Sequence, residues 1–282
     1  MTELGVDGVP ICHRRAPRLL WACLVWLVAS VPMTGSGPDV GASSQPSQRP
    51  GSDRTYKARR ATTPITIDGH AEEPAWAHAG VERHFTFPWT HANARTEFRA
   101  LWDESYFYFS FRVQDADVVV LDRFRDELDA VFEDRVEIFL SVDEQMQKYF
   151  CVEIDSRGRA YDYRASFYRR FDPAWQLAGL EVQGTTRPDG YEVEGRIPLT
   201  RFPELGLTAV RSGARIRCGL YRAEFSHDRS GRAAQPRASL HTLGRVSEGP
   251  PPIEEWASWV DPHTKEPDFH VPASLGWLEF VG

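Results

Sequence analysis

The sequence predicts an all-β protein: an antiparallel β-sandwich of the jelly-roll or immunoglobulin-like kind, with one or two short helices. Three observations predict it. From Thr55 onward, apolar and polar residues alternate instead of recurring every third or fourth place. The alternating runs are short and punctuated by turn residues such as Asp155-Ser156-Arg157-Gly158 and Pro188-Asp189-Gly190. The run from 55 to 282 is contiguous and without internal repeat, a length that one sandwich accommodates.

TEFRALWD (96–103) and SYFYFSFRV (105–113) read as two strands joined by a tight turn. In the second, Phe107, Phe109, Phe111 and Val113 share one face, because side chains on a strand alternate. RVEIFLSV (135–142), KYFCVEID (148–155), AYDYRAS (160–166), LEVQGTT (180–186), YEVEGRIP (191–198), RIRCGLYRAEF (215–225) and LGWLEFVG (275–282) follow as further strands. EEPAWAHA (72–79) is the best short helix, with Pro74 tolerated in its first turn, and FPELGL (202–207) suits another helical turn.

Residues ahead of Thr55 do not belong to this pattern. Arg14, Arg15 and Arg18 precede the apolar run LLWACLVWLVASV (19–31), which is too short for a permanent membrane anchor. A basic stretch before such a run predicts a secretory signal peptide over 1–33. Residues 34–54 are a Gly/Ser/Pro/Gln linker that buries too little apolar surface to fold, and the domain occupies 55–282. The expected location is secreted, periplasmic or extracellular. The formal charge of −7 argues against a nucleic-acid partner. Cys12 and Cys23 fall in the leader, leaving Cys151 and Cys218 as a disulfide or as two buried thiols, and no zinc spacing occurs.

Strand parity raises one question about function. Val136, Ile138 and Leu140 share the core face, so Arg135, Glu137 and Phe139 share the other, as do Tyr149, Cys151, Glu153 and Asp155 on the next strand. A face mixing acids, Arg, Tyr and Phe suits a polar ligand with an apolar side, such as a sugar ring. It equally suits a wet outer sheet laced with weak cross-strand ion pairs.

Taken in order, ITIDGHAEEPAW (65–76), FRALWDESYFYFSFRVQD (98–115), EDRVEIFL (133–140), YFCVEID (149–155), YEVEGRIP (191–198), SWVDP (258–262) and FHVPASLGWLEF (269–280) resemble the family 9 carbohydrate-binding modules of secreted xylanases. The resemblance covers essentially all of 55–282 and implies a non-catalytic β-sandwich that binds a polysaccharide or oligosaccharide, with any glycan-degrading enzyme encoded separately. In that family a sugar lies between two tryptophans, often at the reducing end of a glycan. The resemblance implies that Trp259 is one platform and Glu137 a sugar-hydroxyl acceptor. Phe132 stands near the place of the second tryptophan, Cys151 where an arginine is expected and Glu153 where an amide is expected; Tyr149 and Arg135 share the ligand face. It further implies structural calcium, with Asp134, Asp115 and Asp126 as unranked candidates.

Three rival readings have weaker support. A glycosidase needs two carboxylates at a set separation, and Asp134 with Glu137 or Glu192 with Glu194 has the residue types without fixing the distance. A haem-binding electron-transfer domain needs Met or His ligands, and Met146, His70, His84, His91, His227, His241, His263 and His270 show no paired spacing. A protein-binding adaptor would use Trp256 and Trp259, which equally suit core packing.

Overall fold

The computed structural model describes residues 50–90, 95–226 and 255–282. The expected leader, most of the linker, and His91, His227 and His241 lie outside those residues.

The described chain is mostly β. Its strands are β1 (Thr55–Arg60), β2 (Thr96–Trp102), β3 (Tyr106–Gln114), β4 (Arg135–Ser141), β5 (Tyr149–Asp155), β6 (Ala160–Ser166), β7 (Arg170–Asp172), β8 (Glu181–Arg187), β9 (Gly190–Pro198), β10 (Arg215–Glu224), β11 (Glu255–Ser258) and β12 (Gly276–Phe280). Every strand read from alternation is present. β1, β7 and β11 are additions, and the apolar signal in TYKARR and RFD is too thin to announce a strand. EEPAWAHA forms a 3-10 turn at Pro74–His78, and Phe202–Leu205 forms one α turn closed by Gly206 at φ 106°, the left-handed geometry that glycine favours.

The expectation of a wholly antiparallel arrangement is corrected. The strands form one curled, mixed sheet in the order β7-β6-β5-β4-β10-β12-β1-β2-β3-β9-β8, with β11 on the free side of β10's end. Parallel pairing enters through β1. Its first four residues run beside Thr55–Ala58's partners Trp277–Phe280, and its last two, Arg59 and Arg60, pair with Leu101 and Trp102 of β2. One strand thus hands the hydrogen-bond ladder from one half of the sheet to the other, and the sheet curls there.

Both halves turn their inward faces to one core. Phe107, Phe109, Phe111, Val113, Val193 and Ile197 meet Val136, Ile138, Leu140, Val152, Ile154 and Leu220, all essentially inaccessible. Each such side chain contributes about 1.5–3 kcal/mol on burial. Beyond the core, the β5–β6 turn at Gly158 lies so close to Gly184 of β8 that neither position has room for a Cβ. The segment 65–76 is latched to the outside of β9: Glu194 accepts hydrogen bonds from the amides of Asp68 and Gly69 (3.1 Å each) and from Trp76 Nε1 (3.0 Å). Glu192 accepts from the Ala71 amide at 3.1 Å.

Candidate functional site

The outer face of β4, β5, β6 and β10 is set by register. Glu137 sits between Tyr221 of β10 and Glu153 of β5, and Glu153 is followed by Tyr161 of β6. One residue pair along, Phe139 lies between Gly219 and Cys151; two residues the other way, Arg135 lies between Ala223 and Asp155. Trp256 of β11 pairs with Ala223, so it stands on the same face as Arg135 and Glu137.

This face has two parts. The first is apolar and closed. Phe139, Tyr149, Cys151, Tyr163 and Tyr221 are buried beneath Phe269 and Leu275 of the segment before β12. Tyr221 and Phe269 stack with centroids 4.1 Å apart, and the Tyr149 hydroxyl meets His270 Nδ1 at 2.9 Å. Burial and the nearby Arg169 and Arg135 hold His270 well below the ordinary histidine range, so it is neutral.

The second part is an ionic floor. Arg135 lies between two acids, with Nη2 2.9 Å from Glu137 and Nε 2.7 Å from Glu153. Tyr163 donates to the second oxygen of Glu153 at 2.8 Å. All three charged groups are at most 5% exposed. Glu137 Oε1, Glu153 Oε2 and Arg135 Nε are inaccessible to solvent and are held by these ion pairs. Burial, then the neighbouring Glu153, push the Glu137 carboxyl up to about 8, against the opposing pull of Arg135 and Arg169.

Half-buried side chains border the floor. Arg135 lies against the Trp256 ring at 5.5 Å, and Trp256 packs edge-on against Phe225 and Phe269. On the β6 side stand Tyr161 and the cluster in which Arg169 bonds Asp268 (3.0 Å) and the Tyr168 hydroxyl donates to Asp268 (2.5 Å).

Of the residues expected at a ligand face, the structure brings Arg135, Glu137 and Glu153 together. The others are corrected. Trp259 has no exposed surface: its amide donates to the Leu220 carbonyl, its ring joins the main core, and its Nε1 donates to Glu82 at 3.0 Å. It lies on the opposite side of the sheet from Glu137, because the core side holds Leu220 and Ile138 while Glu137 aligns with Tyr221. Phe132 ends the 3-10 turn Glu127–Phe132 and is only 7% exposed, too enclosed for a platform. Tyr149 and Cys151 are sealed in the apolar part of the face.

Trp256 is the residue that sequence reasoning placed elsewhere. In a strand, residues three apart point to opposite faces, so reading EWASW as β would have sent Trp256 outward and Trp259 inward. Tyr168, Arg169 and Asp268 come from segments with no periodic signal, and only the fold assembles them.

The other candidate chemistry is accounted for within the scaffold. Asp134 accepts the amides of Val119 and Phe225, at 2.6 Å each. Glu192 and Glu194 hold the 65–76 latch. Asp115 accepts from the Asp117 amide and Asp126 caps its 3-10 turn through the Leu128 amide. Among the described residues no three His, Cys, Asp or Glu side chains converge as metal ligands. Met146 is buried in the apolar cluster, and Cys151 and Cys218 are free thiols on opposite faces of the sheet, in two different clusters. No helix among the described residues is long and apolar enough to cross a membrane.

The chain is mostly β, and the family described as carbohydrate family 9 binding domain-like matches residues 67–243; the chain belongs to it. No curated protein matches. Among solved structures, a suspected carbohydrate-binding protein of Bacteroides uniformis ATCC 8492 superposes with a TM-score of 0.59 at 17% identity, over 81% of this chain and 100% of that one. A family 9 carbohydrate-binding module of Caldicellulosiruptor kristjanssonii, solved with cellotriose, superposes with a TM-score of 0.52 at 16% identity, over 81% of this chain and 94% of that one.

Proposed function

We propose that this chain is an exported, non-catalytic carbohydrate-binding protein whose site is the ionic floor of β4 and β5, with Trp256 as its stacking platform. The observation that carries the proposal is the buried Arg135–Glu137–Glu153 group beside a half-buried indole. An indole plane covers the apolar C–H face of a pyranose, and buried apolar area is worth about 25 cal/mol per Å² before association costs. Glu137, Glu153 and Arg135 supply the charged groups that would turn toward the hydroxyls, and a buried polar group left unpaired costs about 1–3 kcal/mol. Family membership supports the same reading, as does the neighbour solved with cellotriose.

Non-catalysis is supported by how the acids are used. Glu137 and Glu153 are bridged by a single guanidinium, while Asp134, Glu192 and Glu194 are committed to backbone amides. We read the curled sheet as a sandwich because its two halves share one core. Export rests on the basic-then-apolar leader.

The test is titration against a panel of neutral polysaccharides and their oligosaccharides, with product analysis after long incubation. Saturable binding without turnover supports the proposal. Turnover, or no binding to any member, contradicts it.

A further inference from the structure

The end of β10 away from Ala223 carries two arginines on the outer face. Arg215 and Arg217 share that face by parity, and Arg217 lies in register with Trp277 of β12, itself in register with Thr55 of β1. Both guanidiniums lie against the Trp277 ring, their central carbons 4.5 and 4.3 Å from its centroid. The half-buried indole thus orients the two cations. A strand rises about 3.3 Å per residue, which puts Arg217 about 20 Å from Ala223 and the ionic floor. Phe139 and Tyr221, beneath Phe269 and Leu275, lie between the two places.

Arg217 is short of a counter-charge. It is only 4% exposed; of the other buried arginines among the described residues, Arg135 and Arg222 each touch a carboxylate, whereas Arg217 forms no ion pair with a described acid. Its Nη1 donates to the Ser52 carbonyl at 2.9 Å, and its Nε has no partner among the described residues. Arg215 bonds a neutral oxygen, Thr55 Oγ1, at 3.1 Å. Burial and the like charge of Arg215 hold the Arg217 guanidinium below its ordinary range, against the pull of exposed Glu144 and Asp53. A buried cation left without an opposite charge is costly, and here a second cation stands beside it. Gly51 closes over Arg217, since a Cβ there would lie 2.9 Å from Nη2, and Arg215 is the exposed member of the pair.

Resting on the carbohydrate reading above, we propose that this pair is a second, anion-accepting site, which takes the carboxylate of a uronic acid residue in an acidic glycan. Arg215 holds the carboxylate, its planar fork matching two oxygens, and the uncompensated charge of Arg217 beneath strengthens the attraction. A glycan is the occupant because both sites lie on the outer face of one sheet, so a polysaccharide at the ionic floor carries its own substituents toward Arg215.

Titration calorimetry with trigalacturonate, its fully methyl-esterified form and a short polyglutamate tests this on the wild type, Arg215→Gln, Arg217→Met and Trp256→Ala. Esterification removes the charge and keeps the sugar; polyglutamate keeps the charge and removes the sugar. Melting temperatures confirm that each variant is folded, and Arg215→Gln, at an exposed position, decides the outcome should Arg217→Met not fold. The wild type should bind trigalacturonate at least about tenfold more tightly than the ester, with most of that preference lost at high salt. Arg215→Gln should bring trigalacturonate to the ester's level and leave the ester within about twofold, Arg217→Met should weaken the preference, and Trp256→Ala should keep it. Equal binding of acid and ester in the wild type, an unchanged preference in Arg215→Gln, or a preference lost in Trp256→Ala overturns the second site, while the carbohydrate reading stands on the neutral panel. Polyglutamate bound as tightly as trigalacturonate overturns the acidic glycan as its occupant. A wild type that binds neither form of the trimer nor any neutral glycan overturns both readings.

Discussion

Trp256 and Trp259, three residues apart, lie on opposite faces of the sheet: the first packs against Arg135 on the outer face, the second is enclosed in the main core beside Leu220. Their substitutions should therefore separate. Trp259→Ala removes a fully buried indole and its bond to Glu82, and is expected to cost about 3–5 kcal/mol in chemical denaturation. Trp256→Ala should cost far less stability and lose binding.

Arg135 is the single cation between two buried acids, so its removal is expected to be severe. Arg135→Met removes the guanidinium that both buried acids contact, at a cost of about 3–5 kcal/mol. Glu137→Gln leaves the Arg135–Glu153 pair intact and should be milder in stability while still weakening binding. Denaturation midpoints of the two variants, measured side by side, check the order. A less stable Gln variant would contradict it.

Stability should fall as the solution becomes alkaline. Burial raises the Glu137 carboxyl from 4.5 to about 8 and, with a hydrogen bond to Asp155 adding to it, the Glu133 carboxyl also to about 8. The folded state therefore holds these protons more tightly than the unfolded state. The stabilisation they give is complete below 4.5 and is lost as pH rises through about 8. Buried neutral His270 acts in the opposite direction below its ordinary value of 6.5. Melting temperatures at about pH 6.5 and about pH 9 should thus show the lower value at the higher pH, with a smaller difference in Glu137→Gln.

Glu194 accepts three donors that would otherwise be unpaired beneath the 65–76 latch. Glu194→Ala should lower stability by about 1–3 kcal/mol and speed hydrogen exchange at the Asp68 and Gly69 amides. Unchanged exchange there would show that another contact holds the latch.

Cys151 and Cys218 face opposite sides of the sheet, and burial raises both thiols above their ordinary range. Neither should react with a thiol reagent before unfolding, and reductant should leave the melting temperature unchanged. A reductant-dependent melting temperature would contradict the two separate thiols.

The sequence and the structure agree best where a single periodicity decides the outcome. Phe107 to Val113, Val136 to Leu140 and Tyr191 to Ile197 alternate cleanly, and each inward set lies in the core. The same alternation put Arg135, Glu137 and Glu153 on one face, because those residues lie on long, regular strands. It could not reveal the parallel pairing of β1, whose partners Trp277–Phe280 lie at the far end of the chain. Nor could it distinguish a face open to water from one covered by another segment: Tyr149 and Cys151 have the right parity but lie under Phe269 and Leu275. Motif position misled at Trp259, where a short strand was read without its parity. The rim residues Tyr168, Arg169 and Asp268 meet across about a hundred residues of chain through loop geometry that no local pattern encodes.

The most direct test of the proposed site is the affinity of Trp256→Ala for the tightest oligosaccharide of the panel, measured by titration calorimetry beside the wild type. The account predicts at least a tenfold loss in a variant that melts within a few degrees of wild type (about 1.4 kcal/mol). An affinity equal to wild type would contradict it and move the sugar away from Arg135 and Glu137.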